Sequence, residues 1–208
     1  MFYLTDTIEF PDVSKATKDG LLAIGGDLSI ERLLEAYRLG IFPWFEIDEP
    51  ILWWSPDPRF VMYPEKLVVS KSMRQVMRKQ PFEVTMNRSF DTVIKECSKV
   101  KRRGQSSSWI TNGMIDAYIK FHEAGYAKSV EVWLDDELVG GLYGVDIGNS
   151  VFCGESMFTK VDNASKVALI TLIQESDYNL IDCQVYTSHL ESLGAEPISR
   201  ETFLNLLR

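Results

Sequence analysis

The sequence predicts an α+β fold built around a mixed β-sheet. The pattern of residues 129–158 predicts three successive strands, joined by turns at Asp135–Glu137 and Asp146–Asn149. A helix over residues 163–179 and a buried strand over residues 180–185 follow them. A helix of this length allows a right-handed crossover between the strands on either side of it. We therefore expect the third and fourth strands to be parallel neighbours, and the first three to be antiparallel.

The N-terminal part of the chain contains one clear helix, within "SIERLLEAYRLG". Ser29 is a suitable N-cap, apolar residues recur at helical spacing as far as Tyr37, and Gly40 ends the pattern. Farther on, "EPILWWSPDPR" carries three prolines, which argues against regular structure there. We place a domain boundary near Pro56–Pro58. It separates a small N-terminal domain, residues 1–57, from a second domain, residues 58–208.

Further helices are predicted in the second domain. "SKSMRQVMRKQ" places Met73 and Met77 on one helical face and its basic residues on another. "TNGMIDAYIKFHEAGYA" is amphipathic and ends at Gly125, and the closing "SRETFLNLLR" is a short helix. The helix between the third and fourth strands takes Asn163 as its N-cap. The second domain thus runs helix, antiparallel strands, helix, strand, which is an α+β layer with mixed pairing.

Composition indicates a globular protein without export or membrane signals. The 208 residues are 45% hydrophobic and 12% aromatic, which is ample for a core. No apolar run approaches a membrane span, and the N-terminal "MFYLTDTIEFPD" is acidic, unlike a signal peptide. Three scattered cysteines without a CxxC argue against a disulfide scaffold or a zinc ribbon. We expect a soluble cytoplasmic protein with reduced thiols.

Basic residues are concentrated in one segment of this acidic chain. The net charge is −8, yet eleven of the 22 Lys and Arg residues lie between Lys66 and Gly104, against three acids. Such a local field can attract a polyanion even when the net charge repels it. A solvated charged face explains the same composition. The segment alone therefore leaves nucleic-acid binding open.

Two polar residues interrupt the apolar strand "LIDCQV". Alternate side chains of a strand share a face, so Asp182 and Gln184 point one way and Cys183 the other. A strand end whose polar face meets water also fits this pattern. The parallel pairing predicted above instead brings both residues beside Glu155 of the third strand.

Glu155 is anomalous because it lies in a strand that is apolar on both faces. Such strands are central in a sheet, and a buried carboxylate without a partner costs several kcal/mol. Glu155 therefore needs a cation or hydrogen-bond donors. An internal ion pair with Lys166 or Arg200 would satisfy it, and so would a bound substrate. The residues alone leave both readings open.

Six sequence blocks occur together in one known family. In order they are "GLLAIGGDLS…LLEAYRLGIFPWF", "PILWWSPDPR", "SWI", "SVEVW…LVGGLYG", "GESMF…NASKVAL" and "LIDCQ…HLESLGA". The chain resembles the leucyl/phenylalanyl-tRNA–protein transferases from about Gly20 to its C-terminus. The resemblance implies a small N-terminal domain followed by a domain similar to the GCN5-related N-acetyltransferase fold.

The resemblance also implies an activity. Leucine or phenylalanine, and methionine less well, passes from leucyl-tRNA or phenylalanyl-tRNA to the N-terminal Arg or Lys of a protein, marking it for degradation by the N-end rule. Aminolysis of an ester is downhill, so no metal or other cofactor is expected. The implied catalytic pair is Asp182 and Gln184, which position the attacking amine. Glu155 matches the acidic residue that contacts the acceptor's N-terminal side chain.

The implied tRNA contacts fall into three groups. Trp44 and Trp109 match the tryptophans that stack on the 3′ adenosine. The residues matching the pocket for the donor side chain are apolar: Leu142, Phe152, Met157, Leu169, Leu172 and Ile181. The residues expected to contact the tRNA phosphates are basic: Lys71, Arg74, Arg78 and Lys79. Lys99–Arg103 has no counterpart in the family pattern.

Three other functions compete with this one. A CoA-dependent N-acetyltransferase shares the implied fold, but the stretch "TKVDNASKVAL" lacks the glycines that let backbone N–H groups approach a pyrophosphate. A non-catalytic tRNA-binding module leaves the grouping of Glu155, Asp182 and Gln184 unexplained. A nucleophilic pair of Cys183 and His189 lacks an evident carboxylate to orient the histidine.

Overall fold

The computed structural model describes residues 2–79, 82–100 and 109–208. The strands in these ranges are β1 Phe2–Leu4, β2 Leu21–Gly25, β3 Phe42–Pro43, β4 Leu52–Trp54, β5 Arg59–Met62, β6 Glu83–Met86, β7 Ala127–Leu134, β8 Glu137–Asp146, β9 Val151–Thr159, β10 Leu180–Gln184 and β11 Glu196–Ile198. The α-helices in the same ranges are α1 Ile30–Arg38, α2 Lys71–Lys79, α3 Phe90–Ser98, α4 Asn112–Glu123, α5 Ala164–Glu175, α6 Ser188–Glu191 and α7 Arg200–Leu206.

A seven-stranded mixed sheet forms the centre of the molecule, in the order β11-β5-β10-β9-β8-β7-β6. Strands β9 and β10 are parallel, with Ile181 beside Phe152, and helix α5 connects them. The other neighbours in this sheet are antiparallel. The predicted α+β class, its mixed sheet and the strand–helix–strand crossover are confirmed.

The ends of the predicted helices and turns follow local chemistry. Ser29 caps α1 with its side chain, and Gly125 follows α4 with a positive φ of 92°. Asp135 and Asp136, at φ of 50° and 63°, make the tight turn between β7 and β8. Asn163 precedes α5 as predicted, but its side chain makes no capping hydrogen bond.

The prediction that "EPILWWSPDPR" lacks regular structure is wrong. Strand β4 and the start of β5 lie within it. Proline removes a ladder donor only where it sits inside a paired strand. Here Pro50, Pro56 and Pro58 flank β4 and β5 and do not interrupt either of them. Between them the chain passes from the four-stranded sheet, β1-β2-β4-β3, to the seven-stranded one. The domain boundary after residue 57 stays a prediction.

Two hydrophobic cores lie against the central sheet. One contains α3 and α4 with the N-terminal elements, and Trp53, Tyr118 and Phe203 are among its fully buried side chains. The other contains α5 and α2, with Ile170 and Met73. Strand β9 contributes to both cores because its side chains alternate between them. Within the described residues, no helix combines the length and the apolar character needed to cross a membrane.

Candidate active site

Glu155 is the extra residue of a β-bulge on β9. On the neighbouring strand β8, Tyr143 lies opposite Ser156 and Gly144 lies opposite Gly154. Glu155, between Gly154 and Ser156, therefore has no partner on β8. A bulge bends its strand and re-aims the extra side chain. The Glu155 carboxylate there meets a tyrosine of helix α1.

The Glu155 carboxylate is buried, and one of its oxygens is fully engaged. The residue is 6% exposed, and its Oε1 accepts hydrogen bonds from the Tyr37 hydroxyl at 2.7 Å and from Gln184 Nε2 at 2.8 Å. Tyr37 has a single proton to donate, so the Tyr118 hydroxyl, 2.5 Å away, donates to Tyr37. Among the described residues Oε2 has no hydrogen-bond partner. One oxygen is thus held in place, and the other is buried without a hydrogen-bond donor among the described residues.

Among the described residues, no basic side chain forms an ion pair with Glu155. Lys166 and Arg200 are not its partners, and within residues 2–79, 82–100 and 109–208 no salt bridge includes it. The predicted alternative of an internal ion pair is therefore wrong. Burial, with the nearby Asp182 charge, raises the pKa of Glu155 to about 7, although the hydrogen bonds from Tyr37 and Gln184 act to lower it.

Gln184 reaches Glu155 because β10 also carries a bulge. Asp182 lies opposite Val61 of β5 and Gln184 lies opposite Phe60, so Cys183, between Asp182 and Gln184, is the extra residue. Gln184 has a φ of 65°, in the left-handed region that costs a residue with a side chain about 1–3 kcal/mol. Its backbone N–H donates to Asp182 Oδ1 at 2.9 Å, which helps to hold this conformation.

Asp182 is paired with a buried arginine. Arg59 Nε donates to Oδ1 at 2.8 Å and Nη2 donates to Oδ2 at 2.6 Å, and neither residue is more than 1% exposed. Two parallel hydrogen bonds of this kind fix both position and orientation. The carboxylate of Asp182 therefore lies next to the site with both oxygens occupied.

An apolar pocket of about 320 Å³ opens beside Glu155 and Gln184. Five of the six residues predicted to hold the donor side chain line it, namely Leu142, Phe152, Met157, Leu169 and Ile181. Leu172 does not line it and instead packs in the core around α5, at 3% exposure. The pocket has the size and apolar character typical of sites for small organic groups.

The two predicted stacking tryptophans share a second, smaller pocket of about 80 Å³. Trp44 is 39% exposed, whereas Trp109 is 5% exposed. Glu155, Gln184 and Val185 line this pocket and also the larger one. The two pockets are thus neighbours that share these three residues.

The four predicted phosphate contacts lie on helix α2. Lys71, Arg74, Arg78 and Lys79 are all exposed, while Met73 anchors the helix on the core around α5. None of the salt bridges among the described residues uses any of the four. Of the second basic cluster, Lys99 pairs with Glu96. Residues 101–103 of that cluster lie outside the described residues.

The chemistry of Cys183 does not favour a nucleophile. Its side chain lines the apolar pocket, and burial, with the nearby Asp182 charge, raises the pKa of the thiol well above its ordinary range. The reactive thiolate is therefore scarce at neutral pH. His189 lines the same pocket, and burial, with the charge of Lys166, lowers its pKa. In the described ranges, no group of three His, Cys, Asp or Glu side chains is placed to hold a metal ion.

Sequence reasoning missed three residues that support the predicted site. Arg59 bonds to Asp182, Tyr37 bonds to Glu155, and Tyr118 bonds to Tyr37. The tyrosines lie at apolar positions of amphipathic helices, where periodicity assigns them to the core. A buried carboxylate in the sequence signals only that it needs partners, and does not say which residues supply them.

Comparison with known proteins identifies the family. Residues 61–208 match the family model described as leucyl/phenylalanyl-tRNA protein transferase, and residues 26–57 match the model of its N-terminal domain. A leucyl/phenylalanyl-tRNA–protein transferase of Flavobacterium johnsoniae is 57% identical over 100% of this chain and 99% of its own length. That of Syntrophus aciditrophicus is also 57% identical, over 99% of this chain and 87% of its own.

Solved structures resemble the chain more distantly. A GCN5-related N-acetyltransferase from Kribbella flavida is 11% identical, with a TM-score of 0.38, over 79% of this chain and 59% of its own. A likeness of this size carries no functional argument. The sequence relatives carry such an argument, because they span the whole chain at high identity. The chain therefore belongs to the leucyl/phenylalanyl-tRNA–protein transferase family.

Proposed function

We propose that this protein transfers leucine or phenylalanine from charged tRNA to the α-amine of an acceptor protein that begins with Arg or Lys. The observation that carries the proposal is the meeting of two pockets at Glu155 and Gln184. An aminoacyl-adenosine end has one part for each pocket, a side chain and a base. Its ester would then lie where the pockets meet, beside the carboxylate and the amide.

The larger pocket suits the donor side chain. Its lining is mostly apolar, so leucine and phenylalanine gain free energy on leaving water, whereas a charged side chain would lose its hydration. Met157, an unbranched residue, can adapt to side chains of different shape. The base of the terminal adenosine would stack on Trp44 and Trp109, since stacking needs no other sequence readout.

The acceptor would enter against Glu155. Its cationic side chain supplies the donor that Oε2 lacks among the described residues. This pairing offsets the desolvation of the carboxylate, which is otherwise costly. A neutral or acidic N-terminal residue would leave Glu155 uncompensated, so we expect a preference for Arg and Lys.

The reaction needs orientation more than strong acid–base chemistry. The α-amine nitrogen attacks the ester carbonyl carbon, the bond from that carbon to the ribose oxygen breaks, the amine gives up a proton and the ribose oxygen gains one. Gln184 is a poor base, so its carbonyl oxygen acts by accepting a hydrogen bond from the amine. We place the reaction in the cytoplasm, where charged tRNA is found, and take its product to be a protein marked for degradation.

A transfer assay tests the proposal. The protein is incubated with leucyl-tRNA or phenylalanyl-tRNA and a peptide that begins with Arg, and the products are read by mass spectrometry. We expect the peptide to gain one leucine or phenylalanine residue, and a peptide beginning with Glu or with a blocked α-amine to gain none. Binding of tRNA without any gain would favour a non-catalytic tRNA-binding module. A gain of an acetyl group from acetyl-CoA would favour an N-acetyltransferase.

A further inference from the structure

Arg59 is held from several directions at once. Its guanidinium carbon lies 4.7 Å from the centre of the Phe42 ring and 4.6 Å from that of the Phe203 ring. Its Nη1 donates to the backbone carbonyl of Gly40 at 3.2 Å. The contacts come from β3, from α7 and from the turn after α1, so three elements hold the guanidinium in place.

Two further N–H groups of this guanidinium are directed at Asp182. Nε and Nη2 bind its two carboxylate oxygens, and Oδ1 of the same carboxylate accepts the backbone N–H of Gln184 at 2.9 Å. An unbroken chain of contacts therefore runs from Arg59 through Asp182 to the left-handed backbone of Gln184. The chain ends at Glu155, which accepts from the Gln184 side chain.

We infer that Arg59 is a positioning residue for the transfer reaction: it orients Asp182, which holds the backbone turn that directs the Gln184 amide at the site. The inference rests on the proposed function for its kinetic consequence, but its structural consequence at Gln184 is independent of that function. It gives Asp182 a defined task. Engaged at both oxygens and fully buried, Asp182 acts through the conformation of the strand.

The informative substitution is Arg59→Lys. Lysine keeps the positive charge, so Asp182 is not left as an unpaired buried charge, but it lacks the planar fork that makes two parallel hydrogen bonds. Arg32→Lys is the matched control. Arg32 is equally buried and binds Asp27 and the backbone carbonyls of Thr5 and Thr7, away from both pockets.

The first measurement is backbone hydrogen exchange, which does not depend on activity. In Arg59→Lys we expect exchange at the Gln184 amide to accelerate by about tenfold or more relative to the other amides of β10. In Arg32→Lys we expect this ratio to remain as in the wild type. An unchanged ratio in Arg59→Lys would overturn the inference.

The second measurement is the transfer reaction itself. In Arg59→Lys we expect kcat to fall about 10- to 100-fold, with the affinity for charged tRNA nearly unchanged, because misplacing a reacting group costs rate and not donor binding. In Arg32→Lys we expect kcat to be retained, even if the thermal midpoint falls. An equal loss of kcat in both variants would assign the effect to general destabilisation and overturn the inference.

A double substitution tests whether Arg59 acts through Asp182. If it does, the double variant Arg59→Lys/Asp182→Asn should lose no more kcat than the single variant with the lower kcat. If the two residues act independently, the fold-losses of the single variants should multiply. Multiplied losses would therefore contradict the inference. A wild-type protein that transfers nothing would overturn the proposed function instead, and the exchange ratio at Gln184 would still decide the role of Arg59.

Discussion

Gln184 donates its side-chain Nε2 to Glu155 Oε1 at 2.8 Å, across two neighbouring parallel strands. An ionised carboxylate can only accept hydrogen bonds, so it fixes which end of the amide faces it. The amide nitrogen is turned toward Glu155, and the amide oxygen is left for an incoming amine. Once Glu155 takes up a proton, it can donate as well, and this preference is lost. The ionisation of Glu155 thus controls the group that would receive the acceptor.

The first prediction concerns stability against pH. Glu155 has a pKa of about 7 in the folded protein, against an ordinary value of 4.5. Between pH 4.5 and 7 the folded protein keeps a proton that the unfolded chain has lost, so this group lowers the free energy of unfolding as pH rises. The difference amounts to about 3 kcal/mol. Denaturant unfolding of the wild type and Glu155→Gln at pH 5 and pH 8 measures it.

Between pH 5 and pH 8, the free energy of unfolding of Glu155→Gln should fall less than that of the wild type. The comparison is informative because all other titrating groups are shared and cancel in the difference. Parallel curves for the two proteins would show that the Glu155 carboxyl ionises with its ordinary pKa. In the transfer assay, the same variant should raise the KM for peptides beginning with Arg while charged-tRNA affinity is kept.

The second prediction concerns the Tyr37 hydroxyl. Its hydrogen bond favours the ionised form of Glu155 and acts to lower the pKa of that carboxyl. Tyr37→Phe removes the bond, so the pKa of Glu155 should rise further and the acid limb of the activity profile should move to higher pH. Tyr118→Phe is the control, since Tyr118 bonds to Tyr37 and not directly to Glu155. A profile that moves equally in both variants would contradict the assignment.

The fold was largely predictable because hydrophobic periodicity reports secondary structure directly. The strands β7 to β9, helix α5 and strand β10 follow from it, as does the parallel pairing of β9 with β10. Helix α3 was missed although Val93, Ile94 and Cys97 have helical spacing, because that segment was read for its charge. The short strands β1, β3 and β11 are too brief to carry a periodic signal.

The site was predictable only in part. Alternation placed Asp182 and Gln184 on a different face from Cys183, and Cys183 does pack against the core around α5. The bulges were not predictable, because an extra residue is defined by the register of the partner strand. Nor was the partner of Asp182, since Arg59 lies on another strand, 123 residues away. Periodicity predicts the face of the strand on which a side chain lies, whereas tertiary packing determines which residues contact it there.

The third prediction concerns Trp44. If its ring stacks on the terminal adenine, Trp44→Ala should weaken binding of charged tRNA by about 5- to 150-fold, corresponding to about 1–3 kcal/mol per stacked base. Trp44 is the better test of the two tryptophans because it is 39% exposed and its loss leaves the core intact. Trp133→Ala, a part-buried tryptophan on β7 outside both pockets, is the control. Equal affinities in the two variants would remove the stacking hypothesis.

The fourth prediction concerns the basic face of α2. Each phosphate contact adds about 0.7–0.9 to the slope of log affinity against log salt concentration. Replacing Lys71, Arg74 and Arg78 together by Ala should therefore flatten that slope. Replacing three other exposed basic residues, Lys18, Arg38 and Arg208, changes the net charge equally and serves as the control. If both triple variants flatten the slope to the same extent, α2 acts only through the net charge.

The last prediction concerns the choice between leucine and phenylalanine. Met157 lines the larger pocket and pairs with Leu142 of β8, which also lines it. Met157→Phe should narrow the pocket, and phenylalanine, the bulkier donor side chain, should suffer more than leucine. Differences of this size in an apolar pocket are worth about 10- to 200-fold in kcat/KM. The ratio of kcat/KM for leucyl-tRNA to that for phenylalanyl-tRNA should rise by at least about tenfold.

Two further variants separate a pocket effect from a general one. Met157→Ala enlarges the pocket and should lower the same ratio. Leu172→Val alters a buried residue that does not line the pocket, so it should cost about 1 kcal/mol of stability and leave the ratio unchanged. A ratio that responds to Leu172→Val as strongly as to Met157→Phe would show that selectivity follows core packing. A ratio indifferent to both Met157 variants would mean that the donor side chain binds elsewhere.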